Sequence, residues 1–296
     1  LQARLGNLYF DIFPQVVLWH RDGEKAILEM TWLGQSLEQE LLMPLGRGEW
    51  SPVLAVWSDA PPILEKLALL DLVIECTLNH LEAMFTVTQL DDPATAGAFV
   101  DEILAAVRVN LRQAGLLPEL ENDLALAESV RDRWSERLVI SCCHRDLTVE
   151  HICFRRNDEG LTVRLVDPKS SVPWLDEMPE GFERSPNSLG CAAIDLAHLE
   201  ISLLRWQNVM RRVNARITLA SLEWVRAQVR DWIDQRRFTL AFYELCRAAC
   251  FSAYAGCRCA YCLAPERRWL YDQMVFESRR SLARCVVYAR SEDFVE

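Results

Sequence analysis

The spacing of apolar residues changes along the chain. Residues 14–19 and 25–32 have strand character, and His20-Arg21-Asp22-Gly23 between them is a turn signal, so the pattern predicts one β-hairpin. Leu33-Gly34-Gln35-Ser36 breaks the run, with Ser36 placed to cap a short helix. Residues 43–62 are rich in Pro, Gly and Trp and read as a loop. From Ile63 to Phe85 the spacing is helical, with Leu67, Leu70, Ile74, Leu78 and Leu81 on one face. Asp91-Asp92-Pro93 ends that helix and opens the next element. Two further helices are expected over 96–115 and 119–137, separated by Leu117-Pro118.

The period then shortens. Leu138 to Ser141, Ile152 to Phe154 and Thr162 to Val166 are brief apolar runs joined by polar loops. Helical spacing returns over 192–213, 218–236, 238–256 and 265–289. A strand pair, helices, three short strands and helix to the end make an α+β fold in which helix dominates.

Composition narrows the function classes. The chain has 296 residues, 51% of them hydrophobic, enough for a large core, which excludes a disordered or collagen-like chain. Its formal net charge is −11, so the basic footprint of a nucleic-acid binder is absent. Residues 201–296 hold 16 Arg, no Lys and 10 acids, a net +6 that leaves −17 for residues 1–200. The apolar run of residues 63–85 is broken by Glu65, Lys66, Asp71, Glu75 and Glu82, so no membrane span is expected. Eleven cysteines, an odd number, read as free thiols in a reducing cytoplasm.

The candidate chemistry lies among the short strands. Cys143-His144-Arg145-Asp146-Leu147-Thr148-Val149-Glu150-His151-Ile152-Cys153-Phe154 sets a polar octet between two apolar runs. Leu165-Val166-Asp167-Pro168-Lys169 follows, so Asp146 and Asp167 are expected at the mouths of neighbouring strands. Strand ends hold carboxylates more rigidly than free loops. Phosphoryl transfer uses one carboxylate to orient or deprotonate the attacking hydroxyl and another to hold Mg²⁺ against the phosphates.

His144-x-Asp146-x-x-x-x-His151 resembles the catalytic loop His-x-Asp-x-x-x-x-Asn of the aminoglycoside phosphotransferase/choline kinase family, which has a protein-kinase-like fold. Leu165-Val166-Asp167 resembles that family's strand and metal-binding Asp. Gly190-Cys191-Ala192-Ala193-Ile194-Asp195-Leu196-Ala197 resembles its downstream Asp-Leu-Ala, and Ala26 to Leu37 resembles its strand and inter-lobe hinge. The resemblance runs from about residue 14 to about residue 200. It implies a remnant N-lobe over residues 1–33 and a mostly helical C-lobe over residues 34–296. It also implies an ATP-dependent phosphotransferase acting on a hydroxyl of a small metabolite. Asp146 would be the catalytic base and Asp167 the Mg²⁺ ligand. His144 and Asp195 would brace the loop, and the backbone around Glu29, Met30 and Trp32 would meet adenine.

Two departures bear on activity. His151 stands where the family has Asn, and imidazole suits Mn²⁺ or Zn²⁺ better than Mg²⁺. It could ligate a second metal, pair with phosphate when protonated, or mark a site that lost its second metal. The family's Gly-rich strand pair and strand Lys also have no counterpart. Lys25, Lys66 and Lys169 are the three lysines, none of them before the hairpin, and Gly46-Arg47-Gly48 falls after the hinge. A chain that starts at Leu1 is expected to continue upstream, where those elements, or further domains, would lie. The other reading is a catalytically inactive, pseudokinase-type domain that binds a nucleotide or a partner within a larger protein.

The remaining clusters read more plainly. Trp174 and Asp176 lie in an acidic loop, 172–187, that in the resembling fold borders the substrate cleft and would suit a cationic metabolite; a solvated loop is the other reading. Cys246, Cys250, Cys257, Cys259 and Cys262 lack a second standard zinc pair and a nearby His, so core packing is the expectation over zinc.

Overall fold

The computed structural model describes residues 12, 16–22, 25–30, 34–47, 61–158, 160–169, 189–213, 215–256 and 268–291. Its fold is α+β, mostly helical, with small sheets. In chain order the strands are β1 (Val16–Asp22), β2 (Lys25–Met30), β3 (Gln35–Ser36), β4 (Ser141–Cys142), β5 (Ile152–Asn157), β6 (Gly160–Leu165) and β7 (Leu189–Gly190). The helices are α1 (Met43–Arg47), α2 (Pro61–Thr88), α3 (Pro93–Gln113), α4 (Leu117–Ser129), α5 (Arg131–Arg137), α6 (Ala193–Val213), α7 (Ala220–Asp234), α8 (Leu240–Gly256) and α9 (Arg268–Ser291). They divide between two compact units, each discontinuous in sequence. No helix among the described residues is long and apolar enough to cross a membrane.

The first unit comprises residues 1–83, 147–168 and 202–227. β1 and β2 form the antiparallel hairpin, but the ladder runs to Asp22 opposite Lys25. His20, Arg21 and Asp22 are therefore strand residues and not turn residues. The second sheet has the order β3-β5-β6. Ile152 opposes Leu165 and Phe154 opposes Val163, all four buried, so one face carries the apolar residues at the two-residue period of a half-buried sheet. Ser36 does not cap a helix. It pairs with Cys153 in β3, and the π-helical turn Glu38–Leu42 starts after Leu37 with no side-chain cap. The backbone pairing of a strand won over the hydroxyl's capping preference. The expected loop over 43–62 is helical at both ends, in α1 and at the start of α2.

The second unit comprises residues 84–146, 169–201 and 228–296. Its centre is α8, buried almost all round and packed against α3 and α9. Phe242 on α8 meets Trp134 edge-on at 5.8 Å and Phe99 at 6.3 Å between ring centroids. Small residues on α8 allow close helix approach. A Cβ at Gly256 would lie 2.9 Å from the Asn110 carbonyl of α3. Cys246 and Cys250 are buried there as small apolar residues, while Cys257, Cys259 and Cys262 lie outside the described residues. Asp92 caps α3, with Pro93 in its first turn. Leu117-Pro118 does not separate two helices; it forms the first turn of α4, where a proline needs no N–H partner. Val130 then splits the expected 119–137 helix into α4 and α5.

β4 pairs with β7, Ser141 opposite Gly190 and Cys142 opposite Leu189. The three short apolar runs therefore do not form one sheet. Asp146 follows β4 and Asp167 follows β6, strands of different sheets, which corrects the expectation that both carboxylates cap neighbouring strands.

Gly34 has φ +91°, and a Cβ there would collide with the Phe154 carbonyl of β5. The Gly34→Ala variant is expected to lose more than about 1 kcal/mol of stability. A urea titration showing an unchanged midpoint contradicts that account of the β3–β5 contact.

Candidate functional site

The segment from Cys143 to Pro168 passes from one unit to the other, and each part has its own bracing. In the second unit the loop after β4 is held by α6. Strand β7 delivers the chain to the α6 N-terminus, and Gly190 permits it: a Cβ there would lie 2.6 Å from the Phe99 ring. Asp195 falls in the first turn of α6 and is fully buried. One carboxylate oxygen accepts the N–H of His144 at 2.8 Å, and the other accepts the N–H of Arg145 at 2.6 Å. Burial pushes the Asp195 carboxyl up to about 7, and the Asp146 charge adds to the rise. The two backbone N–H donors and the Arg145 guanidinium act against it.

Arg145 sits in the left-handed region at φ 67°, a conformation costly for a side-chain-bearing residue. Its own side chain secures it. The guanidinium is fully buried and donates to both oxygens of Glu102 on α3, at 3.1 and 3.2 Å, and to the Leu189 carbonyl of β7. It also lies 5.4 Å from the centroid of the Phe99 ring. His144 is buried, and its carbonyl accepts the N–H of Lys169 at 2.9 Å. Asp146 comes next, 7% exposed, with Oδ1 3.9 Å from Nδ1 of the buried His198.

In the first unit, residues Val149–His151 form a 3₁₀ turn. The His151 N–H closes it onto the Thr148 carbonyl at 3.0 Å, and Ser202 accepts the Val149 N–H at 3.1 Å. Arg205 pairs with Glu150 at 2.7 Å and approaches Glu38 at 3.8 Å. Burial raises the Glu38 carboxyl, the Glu150 charge adds to it, and Arg205 counters both. The Val166 N–H bonds the His151 carbonyl at 2.9 Å, carrying the β5–β6 pairing one step past Leu165. Asp167 follows in the left-handed region at φ 56°, its side chain 57% exposed and its Oδ2 3.7 Å from His151 Nε2.

The structure thus brings His151 and Asp167 together, and His144, Arg145 and Asp195 together beside Asp146. Glu29 and Met30 lie in β2 opposite Leu18 and Val16. Trp32, Trp174 and Asp176 lie outside the described residues. Sequence reading missed Glu102, whose partner is 43 positions away. It also missed His198, three residues after Asp195 and hence on the same helical face, a spacing that was there to be read.

The groups that could hold a metal at Asp167 are few. They are one carboxylate and one imidazole, with the carboxylate open to solvent. Among the described residues no group of three or more His, Cys, Asp or Glu is arranged to hold a metal. A pair leaves most ligand positions to water and phosphate, the habit of Mg²⁺, while the imidazole favours Mn²⁺.

No family model matches the chain, and no curated protein matches it. Among solved structures, a glucosamine kinase (crystal form A) is similar at 16% identity and a TM-score of 0.49, over 96% of this chain and 65% of that one. Glucosamine kinase in complex with glucosamine, ADP and inorganic phosphate gives the same identity, TM-score and share of this chain, over 66% of its own length. Crystal form B gives 17% identity and a TM-score of 0.47, over 96% of this chain and 68% of that one. The chain spans just under two thirds of the length of the first two.

Two outcomes follow for the loop. Removing Glu102 leaves a buried guanidinium without its carboxylate, so Glu102→Ala is expected to cost about 3–5 kcal/mol in urea unfolding. A carboxyl that titrates near 7 when folded and near ~3.9 when unfolded holds its proton more tightly in the folded chain. Its contribution to stability is therefore full below about pH 4 and is lost as pH rises toward 7. Wild type should lose more stability between pH 5 and pH 7.5 than Asp195→Asn does; equal losses would show that Asp195 does not titrate in that window.

Proposed function

We propose that this chain is an ATP-dependent phosphotransferase acting on a hydroxyl of a small metabolite. The observation that carries the reading is the grip of Asp195 on the two N–H groups immediately before Asp146. A buried carboxylate and a buried Arg145–Glu102 pair fix the backbone of one short polar loop, and the next residue presents a carboxylate with slight solvent access. Such rigidity is what catalysis by positioning requires.

In the proposed step the acceptor hydroxyl oxygen attacks the γ-phosphorus of ATP. The bond from that phosphorus to the β–γ bridging oxygen breaks, and ADP leaves. The hydroxyl proton passes to the carboxylate of Asp146. Asp167, with His151 beside it, would hold the divalent ion, which supplies charge neutralisation to the phosphates. The backbone at Glu29, Met30 and Trp32 would take the adenine. The acidic loop containing Trp174 and Asp176 would favour an acceptor bearing an amine, so amino sugars and amino alcohols are the first acceptors to try.

Purified chain, including any residues that precede Leu1 in the natural product, is expected to convert ATP to ADP in the presence of such an acceptor and Mg²⁺ or Mn²⁺. Asp146→Asn should lower kcat by about 10²–10⁴-fold with the circular dichroism spectrum unchanged. Asp167→Asn should raise the metal concentration needed for half-maximal rate. Undiminished turnover in Asp146→Asn removes that residue from its role. No turnover by wild type, with nucleotide still bound, points instead to a non-catalytic nucleotide-binding domain.

A further inference from the structure

The imidazole of His198 has no part in the resemblance, yet it lies in the second unit beside Asp146. It is 2% exposed, and its Nδ1 is 3.9 Å from Asp146 Oδ1. It stands one turn along α6 from Asp195, so one helix face presents both the carboxylate that grips the loop backbone and the imidazole that approaches the loop's own carboxylate. The charged and titratable groups nearby come from three directions. Asp146 and Arg145 come from the loop, Asp195 from α6 itself, and from α8 the buried thiol of Cys250, which feels both carboxylates and the guanidinium of Arg247.

We propose that His198 is a positioning residue for Asp146: its ring, with Nδ1 beside Oδ1, sets the charge and orientation of that carboxylate. The assignment of Asp146 as base rests on the function proposed above, while the pairing of imidazole and carboxylate does not. Away from solvent, two carboxylates facing each other disfavour joint ionisation. A proton on His198 offsets the charge of Asp146, and the pair keeps Asp146 ionised and fixed in rotamer, ready to receive a proton. At 3.9 Å the contact is longer than a hydrogen bond and short enough for strong charge coupling in a buried setting.

Two measurements test this. The first needs no turnover: the His198 ring is titrated by NMR in wild type and in Asp146→Asn. Removing the carboxylate charge disfavours the imidazolium, so the midpoint is expected to move to lower pH by at least about half a unit. An unchanged midpoint overturns the pairing, whether or not the chain is a phosphotransferase. The second is kinetic. His198→Leu should lower kcat about 10–100-fold with the KM for ATP within about twofold, and His198→Asn, which is polar but cannot carry the charge, should recover little of that loss. Should the kcat lost in the Leu and Asn variants only follow their folded fraction, His198 is a packing residue and the proposal fails. A shifted midpoint in a chain that turns over no acceptor leaves the pairing standing and removes the phosphotransferase reading instead.

Discussion

The arrangement around Asp146 depends on one buried carboxylate. Asp195 accepts hydrogen bonds from two consecutive backbone N–H groups, and only a loop bent sharply at Arg145 can aim both at one side chain. The left-handed Arg145 is the local cost of that bend, on the order of 1–3 kcal/mol. Its offset lies in the same residue, because the bend also drives the guanidinium inward onto Glu102 and the Leu189 carbonyl. Backbone strain, a helix-borne carboxylate and a buried ion pair thus form one mutually dependent unit: removing Asp195 orphans two buried N–H donors, and removing either partner of the Arg145–Glu102 pair leaves a desolvated charge.

The same logic extends along the core of that unit. Glu200 on α6 accepts from Tyr243 at 2.8 Å and pairs with Arg247, which also bonds Glu244. Charged groups placed this deep make geometry unforgiving: each has a defined partner, and the helices cannot slide without unpairing one. Around them, Cys143, Cys191, Cys246, Cys250 and Cys285 are buried, and burial raises the thiols of Cys143, Cys191, Cys246 and Cys250. The thiols therefore stay neutral and serve as compact apolar packing among the ions.

Element types were largely legible in the sequence because long amphipathic helices announce themselves by period. The face of α2 containing Leu70, Ile74, Leu78 and Leu81 is buried as its spacing implies, while Leu67 on the same face is half-buried. Failures came where a local preference met a tertiary demand. Ser36 favours a cap but is needed in a strand ladder, and Leu117-Pro118 resembles a break but suits a first turn. The pairing of β4 with β7 was not legible at all, since two-residue strands 48 positions apart carry no periodicity. At the site, spacing marked His144, Asp146, His151, Asp167 and Asp195 as candidates, and the structure holds His144, Asp146 and Asp195 in one group and His151 with Asp167 in another. Glu102 could not, because nothing in a helix interior distinguishes a solvated Glu from one buried to meet an arginine 43 positions on.

The demands on Asp195 oppose each other. As a brace it acts best ionised, since a carboxylate is the stronger acceptor for two N–H groups. As a buried group it is more stable protonated, and its carboxyl is pushed up to about 7. Asp146 enters this balance directly: its negative charge moves Asp195 further toward the protonated form. A loop that holds Asp146 ionised therefore weakens its own brace unless positive charge is supplied nearby. Arg145 supplies a permanent charge, paired with Glu102, and the ring of His198 lies 3.9 Å from Asp146. The loop's rigidity and the charge of the carboxylate it presents are then coupled properties.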